Sequence, residues 1–192
     1  MLNQLPPLRE TPSQTAGPYV HIGLTPSLEA ITGPNVRDLG AGPVPGSGPR
    51  IAVAGRIFDG SGAPVIDAVV ELWQADADGQ HASSWGRVAC DATGAFSFDT
   101  VKPGRVAGPD GRPMAPHLTL WIVARGINVG LHTRLYFDDE AEANGADFVL
   151  NRIMDPRRRK TLIADRSEVD GKPTYSLDIR LQGEGETIFF DI

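Results

Sequence analysis

The chain has 192 residues, room for one domain with a real core; its 22 glycines and 16 prolines, without long helical periodicity, indicate a turn-rich β protein. A net charge of −6 argues against a nucleic-acid binder, because phosphate binding needs a basic face. The single cysteine, Cys90, excludes an intrachain disulfide framework and suits a reducing compartment. No apolar run reaches membrane-spanning length, and MLNQLPPLRE lacks the basic-then-apolar pattern of a signal peptide, so the cytoplasm is the expected location.

Residues 1–50 read as a long extended N-terminal arm. Nine prolines between Pro6 and Pro49 come too densely for regular structure, yet Leu5, Leu8, Tyr19, Val20, Ile22 and Leu24 give apolar anchors. The arm is expected to lie over its own core or over another subunit. Residues 51–192 read as the core domain.

Ile51, Val53 and Ile57 alternate with Ala52, Ala54 and Arg56, and a turn over Gly60–Pro64 leads to a second strand at Val69–Trp73. That strand exits at Gln74, Asp76 and Asp78, a crowd of polar groups on a loop. Phe96 and Phe98 share a face opposite Ser97 and Asp99. Lys102–Pro116 is a Gly/Pro loop, His117–Ala124 is the longest apolar strand, and Arg134–Phe137 is another. Short helices are predicted at Asp138–Asn144, with acidic residues in its first turn, and after the Asp155-Pro156 pair. The run Arg157–Lys160 then reads as a solvated helix turn, not a phosphate patch. A last hairpin turns at Asp170-Gly171, with Tyr175, Leu177, Ile179 and Leu181 on one face, and a final strand is predicted at Ile188–Ile192. The fold class is all-β: a β-sandwich of eight or nine strands with short helices.

Cys90 has no obvious neighbouring base and reads as a small buried residue. On the strand from His117, the side chains of His117, Thr119, Trp121 and Val123 share one face. A His-x-His there would present two metal ligands, but Thr119 is a poor one.

The runs TPSQTAGPYVHIGL (Thr11–Leu24), VVELWQADADG (Val69–Gly79), TVKPG (Thr100–Gly104), APHLTLWIVARGIN (Ala115–Asn128), LHTRLYFDDEAEAN (Leu131–Asn144) and LQGEGET (Leu181–Thr187) closely resemble the intradiol ring-cleaving dioxygenases. Within that family they resemble the alpha chains of the two-chain members that act on protocatechuate (3,4-dihydroxybenzoate). The resemblance covers nearly the whole chain; Gly33–Pro49 and Gln80–Val88 are divergent or shortened.

The iron-bearing beta chains of such enzymes hold Fe(III) with two tyrosinates and two histidines. The corresponding positions are His81, Val106, His117 and Thr119. Both tyrosinates and one histidine are replaced, so the resemblance implies that Fe(III) is held by the partner beta subunit. It further implies that Thr15, Gly17, Pro18 and Tyr19 line the substrate pocket and that Arg125 lies near the substrate carboxylate. Arg134 is the nearby competitor, read as structural. The implied assembly is a hetero-oligomer of alpha–beta units, with protocatechuate and O₂ as substrates and 3-carboxy-cis,cis-muconate as product. Two rival readings stand beside it. One is a non-catalytic β-sandwich binding small aromatic acids. The other is a self-sufficient metalloenzyme using His81 and His117 with Asp76 or Asp78.

Overall fold

The structure is a computed structural model that describes residues 14–191 apart from 35, 82 and 83. The anchors Leu5 and Leu8, the start of the Thr11–Leu24 run and the last residue, Ile192, lie outside the described residues.

The strands are β1 (Arg50–Phe58), β2 (Val69–Trp73), β3 (Trp85–Ala89), β4 (Ala95–Val101), β5 (Val106–Ala107), β6 (Pro113–Met114), β7 (His117–Val123), β8 (Leu131–Phe137), β9 (Ile163–Val169), β10 (Lys172–Ser176) and β11 (Ile179–Arg180). Nine join in one mixed sheet ordered β11-β1-β10-β9-β8-β7-β2-β3, with β4 also on β1, while β5 and β6 pair separately. The sheet folds over a core in which Val53, Phe98 and Tyr175 from one half meet Leu72, Leu120 and Leu135 from the other. The sandwich expectation therefore holds.

The period-2 readings fall where predicted. Ile51, Val53, Ile57, Phe96 and Phe98 are buried while Ser97 and Asp99 are exposed. In β7 the Leu118, Leu120 and Ile122 side chains are fully buried, which leaves His117, Thr119 and Trp121 on the outer face. β1 pairs in parallel first with β10 and then with β11. Between those pairings the Leu177 backbone crosses close to Gly55: a Cβ there would stand 2.0 Å from the Leu177 carbonyl oxygen. Glycine at position 55 is what lets the two chains approach.

The elements depart from expectation in three places. Val20–Leu24 forms α1 and Pro26–Glu29 a 3-10 turn, so the proline-rich arm is not wholly irregular. Pro26 stands at the first position of its turn, where its missing N–H costs nothing. After α2 (Ala141–Ala146), preceded by a 3-10 turn over Asp138–Glu140, an unpredicted α3 spans Phe148–Arg152. Its cap is Asp147, whose carboxylate accepts from the Val149 and Leu150 amides. The predicted cap at Asp155, with Pro156 inside, begins α4 (Pro156–Lys160). The third departure is at the C-terminal end: the described part of Ile188–Ile192 forms only an isolated bridge, Phe190 to His132. No helix among the described residues is long and apolar enough to cross a membrane.

Candidate functional site

The polar crowd at the exit of β2 is structural. Gln74 is buried, donates to the Ala75 and Val101 carbonyls at 2.8 and 2.9 Å, and accepts from Thr100 Oγ1 at 2.6 Å. Asp76 closes its own turn, accepting from the Asp78 and Gln80 amides. Asp76 is not among the residues that line the neighbouring cavity.

Beside this loop a cavity of about 230 Å³ is lined by His81, Val106, His117 and Thr119 together with Trp73, Trp85 and Ser84. All four positions matched to iron ligands thus converge, from the loop at His81, from β5 and from β7. His117 is half-buried, and its Nδ1 lies 2.8 Å from the Ala115 carbonyl oxygen. A carbonyl only accepts, so Nδ1 carries the proton. Burial, reinforced by the facing Arg134 guanidinium, pushes the His117 pKa down to about 4.

The donor set does not fit ferric iron. Fe(III) is a hard ion that wants anionic oxygen, and this cavity offers His81 and Val106 at the positions matched to the two phenolates and Thr119 at that matched to the second histidine. Among the described residues no group of three or more His, Cys, Asp or Glu side chains is arranged to hold a metal.

The lowered pKa of His117 has a measurable consequence. Its folded pKa lies below the ordinary 6.5, so between pH 6.5 and about 4 the unfolded chain binds the extra proton. The stability that neutral His117 contributes is present above pH 6.5 and is lost as pH falls through that window. Urea unfolding at stepped pH should show this fall, and His117→Leu should flatten it.

Arg125, with Thr15 beside it, lies at the opposite end of β7 from His117, on the order of 25 Å along the strand. Arg125 occupies the turn after β7, where Gly126 takes φ +89° and the Ile127 amide donates to the Ala124 carbonyl. Thr15 Oγ1 accepts from the Gly126 amide at 2.7 Å and lies 3.4 Å from the Ala124 carbonyl oxygen. The arm is therefore pinned to the turn that carries Arg125. The Arg125 guanidinium is 63% exposed, with Nε 3.1 Å from Asp67 Oδ2. Tyr19 follows, 75% exposed, at the start of α1. Gly17 has φ +72°, a left-handed conformation that glycine adopts without strain, and Pro18 is exposed.

Arg134 is half-buried: its Nη1 donates to Tyr136 Oη at 3.1 Å, and its guanidinium stacks over Phe190. These contacts give it a structural role. Cys90 is buried, and burial raises its thiol pKa to about 12, so it is not a nucleophile near neutrality.

The residue-level reading missed Glu71. This buried carboxylate accepts from Arg87 Nε and Nη2 at 2.8 and 2.6 Å, and from the Trp73 and Trp85 indole N–H groups at 3.0 and 3.3 Å. Arg87 reaches on to the Leu24 carbonyl, tying the arm to the sheet. An acidic residue alternating with Val70 and Leu72 in a buried strand was the available signal.

Comparison with known proteins agrees with this architecture. The family model described as "Dioxygenase" matches residues 34–183. A protocatechuate 3,4-dioxygenase alpha chain from Pseudomonas putida is 53% identical over 96% of this chain and 97% of its own length. A protocatechuate 3,4-dioxygenase beta chain from Burkholderia cepacia is 38% identical over 30% of each chain. Among solved structures, the dioxygenase domain of a Streptomyces fusion protein superposes with TM-score 0.58 at 22% identity, covering 94% of this chain and 100% of that one. The chain belongs to the dioxygenase family. Relatives that it matches over nearly their whole length, from Pseudomonas putida and Burkholderia cepacia, are protocatechuate 3,4-dioxygenase alpha chains.

Proposed function

We propose that the chain is the alpha subunit of a protocatechuate 3,4-dioxygenase. It would pair with an iron-bearing beta chain in an oligomer of alpha–beta units, in which both atoms of O₂ are inserted across the bond between the two hydroxylated carbons. The observation that carries this reading is the pair of unlike ends: a ligand cavity whose donors do not suit ferric iron, and an exposed turn that presents Arg125 beside the pinned arm.

In this reading Fe(III) belongs to the beta chain and supplies the activation of catechol and O₂. The residues of this chain bind and orient. Arg125, a planar and permanently charged donor fork, takes the benzoate carboxylate. Tyr19 offers a flat ring face, Gly17 lets backbone approach the ring closely, and Pro18 fixes the turn between them. Thr15 holds the arm in register with Arg125. The gain is one of positioning: holding the ring in its reactive orientation lowers the entropic part of the barrier. Residues 1–50 act as the arm of the subunit interface and residues 51–192 as its scaffold. A reducing cytoplasm suits this assignment, with Cys90 buried as a free thiol.

Expression of the chain alone and together with the beta chain of its own genome tests the proposal. Turnover of protocatechuate should require both chains. Turnover by this chain alone would refute it.

A further inference from the structure

A guanidinium in an exposed turn is a poor recognition element unless something restrains it, and two contacts restrain this one, one on its backbone and one on its side chain. The turn itself is clamped by Thr15, whose hydroxyl accepts from the Gly126 amide at 2.7 Å. The side chain is held by Asp67, whose Oδ2 lies 3.1 Å from Arg125 Nε. Asp67 lies in the turn just before β2, in the wall of the cleft that Arg125 lines along with Asp59 and Gln182.

The edge of the guanidinium that Asp67 uses decides what the other edge can do. An arginine offers two donor edges, one through Nε and one formed by the two terminal nitrogens. Asp67 stands on the Nε side as an ion-pair partner, which leaves the Nη1/Nη2 edge for a second carboxylate approaching from the open side. The exposures match this division: the Arg125 side chain is 63% exposed and that of Asp67 only 27%. Asp67 is partly covered while the arginine it supports remains open.

We propose that Asp67 is the positioning residue for Arg125, and through it a determinant of preference for carboxylated over uncarboxylated catechols. This rests on the reading of Arg125 as the carboxylate partner. Asp67 touches no substrate atom; it removes rotamer freedom that Arg125 would otherwise lose on binding, the usual gain of preorganisation.

The test uses the assembled alpha–beta enzyme with protocatechuate and with catechol, which lacks the carboxylate. Asp67→Ala should raise KM for protocatechuate on the order of five-fold, the scale of one exposed ion pair, with a smaller change in kcat and little change in KM for catechol. Asp67→Glu, which keeps the charge of the ion pair, should restore part of the loss, and Asp67→Asn, which loses it, should not. In an Arg125→Ala background, Asp67→Ala should add nothing, because the two act as one unit. The inference is overturned if Asp67→Ala leaves KM unchanged while Arg125→Ala raises it. It is also overturned if the same rise appears without Arg125, or if KM falls, which would make Asp67 a mask over the arginine. If Arg125→Ala itself leaves KM unchanged, the reading of Arg125 fails, and the role of Asp67 fails with it.

Discussion

Replacing Arg125 with alanine should raise KM for protocatechuate roughly 10- to 150-fold, the equivalent of about 1.5–3 kcal/mol for one charge-assisted contact. Iron content of the assembly should be unchanged, because in this reading the iron ligands belong to the beta chain and Arg125 makes only a substrate contact. The exposure of the side chain sets what can be lost. In the free chain the Arg125–Asp67 pair is largely solvated and contributes little to stability, so the variant should fold normally. At an interface that excludes water, the same guanidinium facing a benzoate contributes much more. Steady-state kinetics with protocatechuate and with catechol separate the two: the effect should be large for the first and small for the second. An unchanged KM for protocatechuate would remove Arg125 from the pocket.

Glu71→Ala should destabilise the fold by about 3–5 kcal/mol, the cost of leaving a buried charge without its partner. Glu71 and Arg87 face each other across β2 and β3, as do Trp73 and Trp85. One carboxylate satisfies the Arg87 fork and both indole N–H groups, so its removal strands three side chains at once. Arg87 also holds the Leu24 carbonyl of the arm. The variant should therefore loosen α1 as well as lower the urea midpoint, and hydrogen exchange at residues 20–24 reads the first effect separately. Glu71→Gln, which keeps acceptor and shape but loses the charge, should be milder. A midpoint unchanged by the alanine variant would show that the network contributes nothing to stability.

Strand-level structure was legible where one face is buried and the other is not. Phe96 and Phe98, Ile51 and Val53, and the buried face of β7 all follow the two-residue period. Strand order was not legible, because β1 pairs with β10 and β11 more than a hundred residues away, and nothing local encodes that partner. The arm was read as irregular because prolines were counted against helix without regard to position. Pro26 opens its turn rather than interrupting one. α3 was missed because Asp147 is a cap that only the fold reveals as buried; it also accepts from the Ala115 amide.

The candidate site divides in the same way. That Thr15 and Arg125 belong together came from the family likeness, since no spacing rule joins residues so far apart in the chain; the structure brings them into contact through the Gly126 amide. Gln74, Asp76 and Asp78 formed a plausible polar site by composition. Gln74 is spent on two carbonyls and the Thr100 hydroxyl and Asp76 on backbone amides, and those partners are invisible until the loop is folded. Asp67 had no signal of its own: it is an acidic residue in a turn until Arg125 is seen beside it.

The central claim is that this chain serves an iron site without holding one. Metal analysis of the purified alpha–beta assembly tests it most directly. The account predicts one iron for each alpha–beta pair, and an isolated alpha chain that is colourless and carries no stoichiometric iron. Two irons per pair, or an isolated chain that takes up ferric iron in proportion to protein, would contradict it.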